Sequence, residues 1–244
     1  MTGRSPISGI KHISGLPQET ERNVVIRNEQ TINGGILWRK VHEWRKRSVL
    51  QLPGRSEVCR EAGYMIKNIV FDMGNVLTVY NDREYIYGYV DNEEDFRWIR
   101  NHLCRSVEWL QMDRGTVTDE EAAASICRRM PVHLHKTVKR FIDEYRMIQP
   151  PNPPMEKLVE ELYGSGYDLY LLSNTSHRFR TFSQQIKSIR YMKGIWISCE
   201  HGLLKPEPAA YLDFFMTFSL DPAECFFIDD SPANIEAAKN LGMK

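Results

Sequence analysis

The 244-residue sequence lacks the features that assign a chain to a membrane, to secretion or to nucleic-acid binding. No apolar run approaches the roughly 20 residues that span a bilayer. The first residues lack the apolar segment of a secretory signal. The net charge is zero, with 32 basic and 32 acidic residues, so no excess of positive charge indicates nucleic acid or anionic lipid. We therefore expect a cytoplasmic protein with neither nucleic acid nor a membrane as partner.

The five cysteines also lack the pattern of a disulfide or zinc framework. Cys59, Cys104, Cys127, Cys199 and Cys225 are odd in number, and none forms a C-x-x-C pair. Reduced thiols of a cytosolic protein fit this spacing best. A catalytic cysteine is the alternative, but buried structural thiols are favoured.

Composition changes near Met65. Residues 1–64 hold 11 Lys and Arg against 6 Asp and Glu, whereas residues 65–244 hold 21 against 26. The first segment also has weak apolar periodicity, so we expect a basic, weakly ordered N-terminal extension there. A short amphipathic helix around Trp38 and Trp44 is compatible with its spacing, and the basic residues beside it offer a docking site for an acidic partner as the alternative.

After Met65 the sequence alternates between strand and helix patterns, and its 42% of hydrophobic residues suffice for a buried core. Apolar, β-branched runs predict strands at Ile66–Phe71, Asp168–Ser173, Gly194–Ser198 and Cys225–Ile228. Helical spacings separate these runs. The alternation predicts the α/β class, with a doubly wound parallel sheet that binds ligands at the carboxyl ends of its strands.

A longer helical region separates the first two predicted strands. Apolar residues recur there at helical spacings, and Thr118–Glu121 has the pattern of a capping box that opens the helix carrying Ala122 to Met130. A proline-rich run ends the region. We expect residues 80–153 to form a helical insert in an α/β core made of residues 65–79 and 154–244.

The first chemical motif follows the first predicted strand, in the run Phe71-Asp72-Met73-Gly74-Asn75. A carboxylate that leaves a buried strand into a glycine turn is fixed, exposed and close to backbone N–H groups. Asp72 in this position suits an aspartate that attacks phosphorus and becomes an acyl phosphate. Alone, the motif is more often a turn former or a helix cap.

Two further motifs are suited to phosphate. Ser173 and Asn174 follow the second predicted strand, where a hydroxyl and backbone amides can hold a phosphate oxygen at a helix start, although a plain N-cap fits equally well. Lys205 precedes Pro206 after the third strand. A lysine fixed there can neutralise phosphate and an attacking carboxylate, but a lone lysine is ordinarily a surface residue.

Asp229 and Asp230 stand side by side at the end of the fourth predicted strand. Two adjacent carboxylates repel each other unless a cation or a helix N-terminus compensates. Helix capping explains one of them but not both. Mg²⁺, which takes one or two carboxylates together with phosphate and water, is the natural compensation.

In chain order these motifs are D-x-G-N-V-L, S-N-T, K-P and I-D-D-S-x-x-N. This set resembles the haloacid-dehalogenase-like superfamily, in the subgroup with a helical cap inserted after the first strand. The resemblance runs from Met65 to Lys244. It is most similar to a branch of sugar-phosphate phosphatases with a D-x-G-N nucleophile loop. The resemblance implies a Rossmann-like core.

The resemblance also implies a function and a role for each motif residue. The implied function is a Mg²⁺-dependent phosphatase of a small phosphorylated metabolite, with a sugar phosphate favoured, acting through an aspartyl-phosphate intermediate. The implied catalytic residues are the nucleophile Asp72 and the charge-stabilising Lys205. The implied phosphoryl-binding residues are Ser173, Asn174 and Lys205. The implied Mg²⁺ ligands are Asp72, the Gly74 carbonyl and Asp230, supported by Asp229.

Two departures from the family pattern bear on this expectation. Family phosphatases usually carry a second aspartate, the general acid and base, where this chain has Gly74. The sequence also stops at Lys244, before the family's final edge strand, so we expect a sheet without it. A dehalogenase of the same fold, which needs no metal, and a catalytically weakened binding module are the alternative functions.

Overall fold

The computed structural model describes residues 65–79, 81–144 and 150–244. The predicted N-terminal extension, with its Trp38 and Trp44 helix, lies outside the described residues. No helix in the described ranges is both long enough and apolar enough to span a bilayer.

Four parallel strands form the sheet at the centre of the core. They are β1 (Asn68–Phe71), β2 (Asp168–Ser173), β3 (Gly194–Ile197) and β4 (Cys225–Ile228). Their order is β3-β2-β1-β4, so the strand order changes direction beside β1. The predicted strands and the parallel sheet are confirmed. In such a sheet the crevice for ligands lies at the carboxyl ends of the strands next to this switch point.

The described helices fall into an insert and a core group. The helices of the insert are α1 (Asp82–Tyr87), α2 (Glu93–Ile99), α3 (Val107–Arg114), α4 (Asp119–Cys127) and α5 (His135–Glu144). The helices of the core are α6 (Pro153–Gly164), α7 (Phe179–Phe182), α8 (Ser198–His201), α9 (Pro208–Phe218) and α10 (Pro232–Asn240).

Helices cover both faces of the sheet because strand side chains alternate between them. On one face Ile69 and Phe71 pack against α6 and α7. On the other face Val70, with Trp196 of β3, packs against α9 and α10. Both faces are apolar, as a parallel sheet buried on two sides requires.

The insert has a hydrophobic cluster of its own, contributed by all five of its helices. Ile99, Ile126 and Phe141 are fully buried in this cluster. The predicted capping box is present, since Thr118 and Glu121 each accept a hydrogen bond from the other's backbone N–H. The helix that it opens is α4, which begins at Asp119, directly after the predicted cap, and ends at Cys127, three residues before Met130.

The chain enters and leaves the insert through two adjacent segments. The Val79 N–H donates to the Pro150 carbonyl at 2.8 Å, and the Asn152 N–H donates to the Leu77 carbonyl at 3.0 Å. The Asn152 side chain also donates to the Val76 carbonyl at 2.9 Å. The insert is therefore connected to the core by a short antiparallel pair of segments.

The C-terminal end of α3 contacts the core directly. Gly115 has φ +75°, and a Cβ at this position would lie 2.3 Å from the Cys199 carbonyl oxygen, so a glycine is needed for this approach. Ser198 Oγ donates to the Asp113 carbonyl at 2.5 Å. Arg114 forms an ion pair with Glu207. These contacts hold α3 over the carboxyl edge of the sheet.

The described residues contain no fifth strand beside β4, as expected from the sequence. Lys244 nevertheless pairs with that edge. Its N–H donates to the Cys225 carbonyl at 3.0 Å, and its carbonyl accepts from the Phe227 N–H at 2.9 Å.

Candidate active site

The carboxyl edge of the sheet brings together the residues predicted to carry chemistry. They come from separate strands and loops, and six of the seven line one cavity of about 210 Å³: Asp72, Gly74, Ser173, Asn174, Lys205 and Asp230. The seventh, Asp229, is buried and contacts Lys205. The predicted residues therefore belong to one site.

The ammonium group of Lys205 lies at the centre of this site, with its side chain only 1% exposed. Nζ donates to Asp72 Oδ1 at 2.8 Å, to Asp229 Oδ2 at 2.7 Å and to the Leu172 carbonyl at 2.8 Å. An ammonium group has three protons, and these three acceptors use all of them. Lys205 thus connects the ends of β1, β2 and β4 and fixes the orientation of the Asp72 carboxylate.

Burial and charge act in opposite directions on this ion pair. Burial raises the pKa of Asp72 to about 6, against the attraction of Lys205. Burial lowers the pKa of Lys205, but the charges of Asp72 and Asp229 outweigh that effect, so the pKa of the lysine is raised overall. Lys205 is therefore a permanent positive charge beside the Asp72 carboxylate.

Asp229 is held by neighbours on both of its oxygens. Its Oδ1 accepts from the Ser231 N–H at 2.8 Å, and the amide nitrogen of Asn234 lies 3.0 Å from each oxygen. Asn234 ends the I-D-D-S-x-x-N pattern, and this contact is a role that the pattern alone does not reveal. Asp229 is thus arranged to position Lys205 and its neighbour Asp230.

Asp230 is exposed to the cavity and contacts the turn that follows Asp72. Its Oδ2 accepts from Asn75 Nδ2 at 3.0 Å. Asn75 has φ 55°, in the left-handed region that asparagine enters more readily than most other residues. The asparagine of D-x-G-N therefore joins the nucleophile turn to the second acidic loop.

Three carboxylates of the site, those of Asp72, Asp229 and Asp230, each offer an oxygen within 4.8 Å of the others. Lys205 balances one of the three negative charges. Partial burial raises the pKa of Asp230, and the charge of Asp229 adds to this effect. Clustered carboxylate oxygens beside an open cavity are the donor set that Mg²⁺ prefers, so the residues present fit this ion.

A family model of haloacid dehalogenase-like hydrolases matches residues 66–242. The chain belongs to this family. The resemblance drawn from the motifs is therefore confirmed, and so are the predicted α/β fold and the hydrolase class.

Curated relatives of this haloacid dehalogenase-like chain include phosphatases. The D-ribitol-5-phosphate phosphatase of Bacteroides thetaiotaomicron is 26% identical over 196 residues, which cover 74% of this chain and 90% of that protein. Flavin mononucleotide hydrolase 1 of Arabidopsis thaliana is 25% identical over 138 residues, which cover 55% of this chain and 54% of that protein. The match thus spans about half the length of the Arabidopsis enzyme.

Among solved structures, one similar protein is a family enzyme from Bacteroides thetaiotaomicron in complex with magnesium and inorganic phosphate. The TM-score is 0.59 at 26% identity, and the match covers 73% of this chain and 92% of that one. The two chains therefore share their overall fold.

The side chain of Asn174 contacts the loop that carries Lys205. Its Nδ2 donates to the Lys205 carbonyl at 2.8 Å, and its Oδ1 accepts from the Lys205 N–H at 2.9 Å. Both ends of the amide are therefore occupied by the lysine loop. Asn174 positions Lys205, and its backbone N–H and the second proton of Nδ2 are the groups that it can offer to phosphate. Ser173, buried at 1% exposure in the cavity wall, stays a predicted phosphate ligand.

Gly74 stands where many family phosphatases carry an acidic residue. Its φ lies outside the left-handed region, and a Cβ added to it would meet nothing within 4 Å. Neither backbone conformation nor space requires a glycine here. The absence of a carboxylate is therefore a chemical property of the site rather than a consequence of its fold.

Helix α3 supplies a second wall of the same cavity that the motifs did not reveal. Trp109 and Asp113, one helical turn apart, line the cavity together with Ser176 and Arg178 from the loop after β2. We call these four residues the outer end of the cavity. Their signal in the sequence was only the spacing of Trp109 and Asp113 on one helix.

The four described cysteines are free, as expected from their spacing. Burial raises the pKa of Cys104 and Cys225 to about 12 and that of Cys199 to about 11. Thiols with such values are protonated and poorly nucleophilic. The described cysteines therefore do not support cysteine catalysis.

If Asn174 positions the lysine loop, Asn174→Ala should lower the free energy of unfolding by about 1–3 kcal/mol, because two hydrogen bonds worth about 1 kcal/mol each are lost. Urea denaturation measures this change. The surface variant Asn240→Ala is the matched control and should leave stability within about 0.5 kcal/mol. Unchanged stability of Asn174→Ala, with weaker binding of inorganic phosphate, would instead show that the side chain serves the ligand.

Proposed function

We propose that this chain is a Mg²⁺-dependent phosphatase that hydrolyses a small phosphorylated metabolite, with a sugar phosphate favoured, through an aspartyl-phosphate intermediate. The observation that carries the proposal is the position of Lys205 between Asp72 and Asp229, at the edge of a cavity lined by Asp230. Phosphatase names among the curated relatives support it.

Asp72 is the nucleophile in this proposal. One of its oxygens attacks phosphorus, the bond from phosphorus to the ester oxygen breaks, and that oxygen leaves with the electron pair and takes up a proton. Water then attacks the phosphorus of the aspartyl phosphate, which releases inorganic phosphate and restores the carboxylate. The hydrogen bond from Lys205 orients the attacking group before the substrate arrives.

Lys205 and Ser173 act on the transferring phosphoryl group. The fixed charge of Lys205 offsets negative charge that accumulates on the phosphoryl oxygens, and being already oriented it needs no rearrangement during the reaction. The Ser173 hydroxyl and the Asn174 backbone N–H, at the end of β2, donate to the same oxygens.

The carboxylates of Asp72 and Asp230 and the carbonyl of Gly74 are the groups that would hold Mg²⁺, with Asp229 in support. The bound ion supplies positive charge that offsets the charge of the phosphate and of the nucleophile. Asn75 keeps Asp230 in place through its hydrogen bond. Asn234 does the same for Asp229.

The insert serves as the cap of the site. It carries Trp109 and Asp113 into the cavity wall and is connected to the core by the adjacent segments at 77–79 and 150–152. A cap held in this way excludes water while the phosphoryl group is transferred.

Replacement of the nucleophile tests the proposal. Asp72→Asn should abolish turnover of p-nitrophenyl phosphate, because it removes the attacking carboxylate with little change in volume. The protein should stay folded but melt at a lower temperature, because Lys205 loses one of its two charged partners. Rates measured with and without Mg²⁺ should also show that the unmodified protein depends on the ion.

Asp168→Asn is the matched control and should keep full activity, because it replaces an exposed carboxylate at the start of β2. Retention of a tenth of the Mg²⁺-dependent rate in Asp72→Asn would disprove the assignment of the nucleophile. Dehalogenation of a 2-haloacid without metal would favour the dehalogenase alternative.

Gly74 predicts which phosphates turn over fastest. With no carboxylate there to protonate the departing oxygen, leaving groups that tolerate negative charge are favoured. A sugar 1-phosphate should exceed its 6-phosphate isomer in kcat/KM by up to about 10²–10⁴-fold, the usual value of general acid catalysis. Acyl and aryl phosphates should behave like the 1-phosphate.

Gly74→Asp should reduce the ratio of kcat/KM between the 1-phosphate and the 6-phosphate, because the space beside Gly74 is open and its backbone accepts a side chain. Gly74→Ala is the matched control and should leave this ratio of kcat/KM values unchanged. Equal kcat/KM values for the two isomers in the unmodified protein would show that another group supplies the proton.

A further inference from the structure

The cavity has a polar outer end that the proposed chemistry does not use. Trp109, Asp113, Ser176 and Arg178 line it, two from the insert and two from the loop after β2. The phosphoryl group is held at the other end, by the residues around Lys205. The group released from phosphate therefore has to occupy the outer end.

The charges at the outer end are close to balanced. Arg178 Nη1 donates to Asp119 Oδ1 at 3.1 Å, and its guanidinium also attracts the Asp113 carboxyl group. A leaving group with a second anion would meet the Asp113 carboxyl group, whereas a cationic one would meet the guanidinium. An uncharged leaving group avoids both conflicts.

Asp113 is the hydrogen-bonding group of this end. The backbone N–H of Ser176 donates to its carboxyl group, and removal from water raises its pKa to about 7. A carboxyl group keeps acceptor positions on its oxygens in either protonation state, so Ser176 leaves some of them for a ligand. Hydroxyl groups of a substrate are the donors that match them.

The cavity is open to solvent, and its volume of about 210 Å³ includes the space for the phosphoryl group. Pockets that enclose drug-sized ligands usually measure about 300–1,000 Å³. A short polyol or a single sugar ring would lie within this cavity, whereas a flavin or a long apolar chain would extend out of it.

We propose that Asp113 is a specificity-determining residue that accepts hydrogen bonds from the hydroxyl groups of a compact, uncharged leaving group. This inference rests on the proposed phosphatase function. Trp109 orients Arg178, whose guanidinium lies 5.3 Å from the centre of the indole ring. Arg178 in turn sets the position of the Asp113 carboxyl group through their charges.

The test compares primary alkyl phosphates that differ in the rest of the molecule: ribose 5-phosphate, phosphoglycolate, phosphocholine and butyl phosphate. The unmodified protein should have its highest kcat/KM on ribose 5-phosphate. Asp113→Ala should raise KM for ribose 5-phosphate about 10- to 100-fold, the value of one hydrogen bond to a charged group. It should change kcat/KM for p-nitrophenyl phosphate, whose leaving group has no hydroxyl donor, by less than about threefold.

Two further variants complete the test. Asp113→Asn keeps an acceptor for the Ser176 N–H. It should raise KM for ribose 5-phosphate by a smaller factor and leave kcat/KM for p-nitrophenyl phosphate nearly unchanged. This variant provides the test if Asp113→Ala folds poorly. Asp91→Asn is the matched control, because it removes an exposed carboxylate of the insert that does not line this cavity. It should leave the ranking of the four phosphates unchanged.

Three results would overturn the inference. If Asp113→Ala lowered kcat/KM equally for ribose 5-phosphate and for p-nitrophenyl phosphate, the role of Asp113 would be structural. If Asp113→Ala lowered kcat and left KM unchanged, Asp113 would act in proton transfer instead of substrate binding. A preference for phosphoglycolate would mean that Arg178 selects an anion. Hydrolysis of p-nitrophenyl phosphate by the unmodified protein tests the phosphatase function separately, and if no phosphate is hydrolysed both proposals fail.

Discussion

The site depends on one buried ammonium group placed between two carboxylates. Such an ion pair adds little net stability, because removing charges from water offsets their attraction, yet removing one partner costs about 3–5 kcal/mol. Lys205, Asp72 and Asp229 are therefore mutually required. The geometric consequence is larger than the energetic one, since the lysine fixes the ends of three strands relative to one another. Asn174 and Asn234 complete the arrangement by holding Lys205 and Asp229.

Chemistry and recognition come from different parts of the chain. The sheet edge supplies every group assigned to phosphoryl transfer, and it does so from loops anchored by buried strands. The insert supplies Trp109 and Asp113, and its helix α3 is held over the sheet through Gly115 and Ser198. Because the insert has its own hydrophobic cluster, its surface toward the cavity can change with little effect on the core.

Much of the fold and part of the site were predictable, for physical reasons. Strand positions follow from short apolar runs, and residues at the carboxyl ends of adjacent strands must meet, so the grouping of Asp72, Lys205 and Asp229 was accessible. The hydrogen bonds of the Asn174 amide could not be predicted from the sequence, because they join it to Lys205, 31 positions away. The role of Asp113 depends on how the insert packs on the core, which no local pattern encodes. The end of α4 was misplaced because apolar spacing marks a buried face rather than a helix end.

The central claim is that the phosphoryl group passes through Asp72. Borohydride reduces an acyl phosphate to an alcohol, so an aspartyl phosphate at this position becomes homoserine, which peptide mass spectrometry locates. The account predicts homoserine at position 72 when a phosphate substrate and Mg²⁺ are both present, and none when either is omitted. Reduction at a different residue, or steady turnover with Asp72 unmodified throughout, would contradict it.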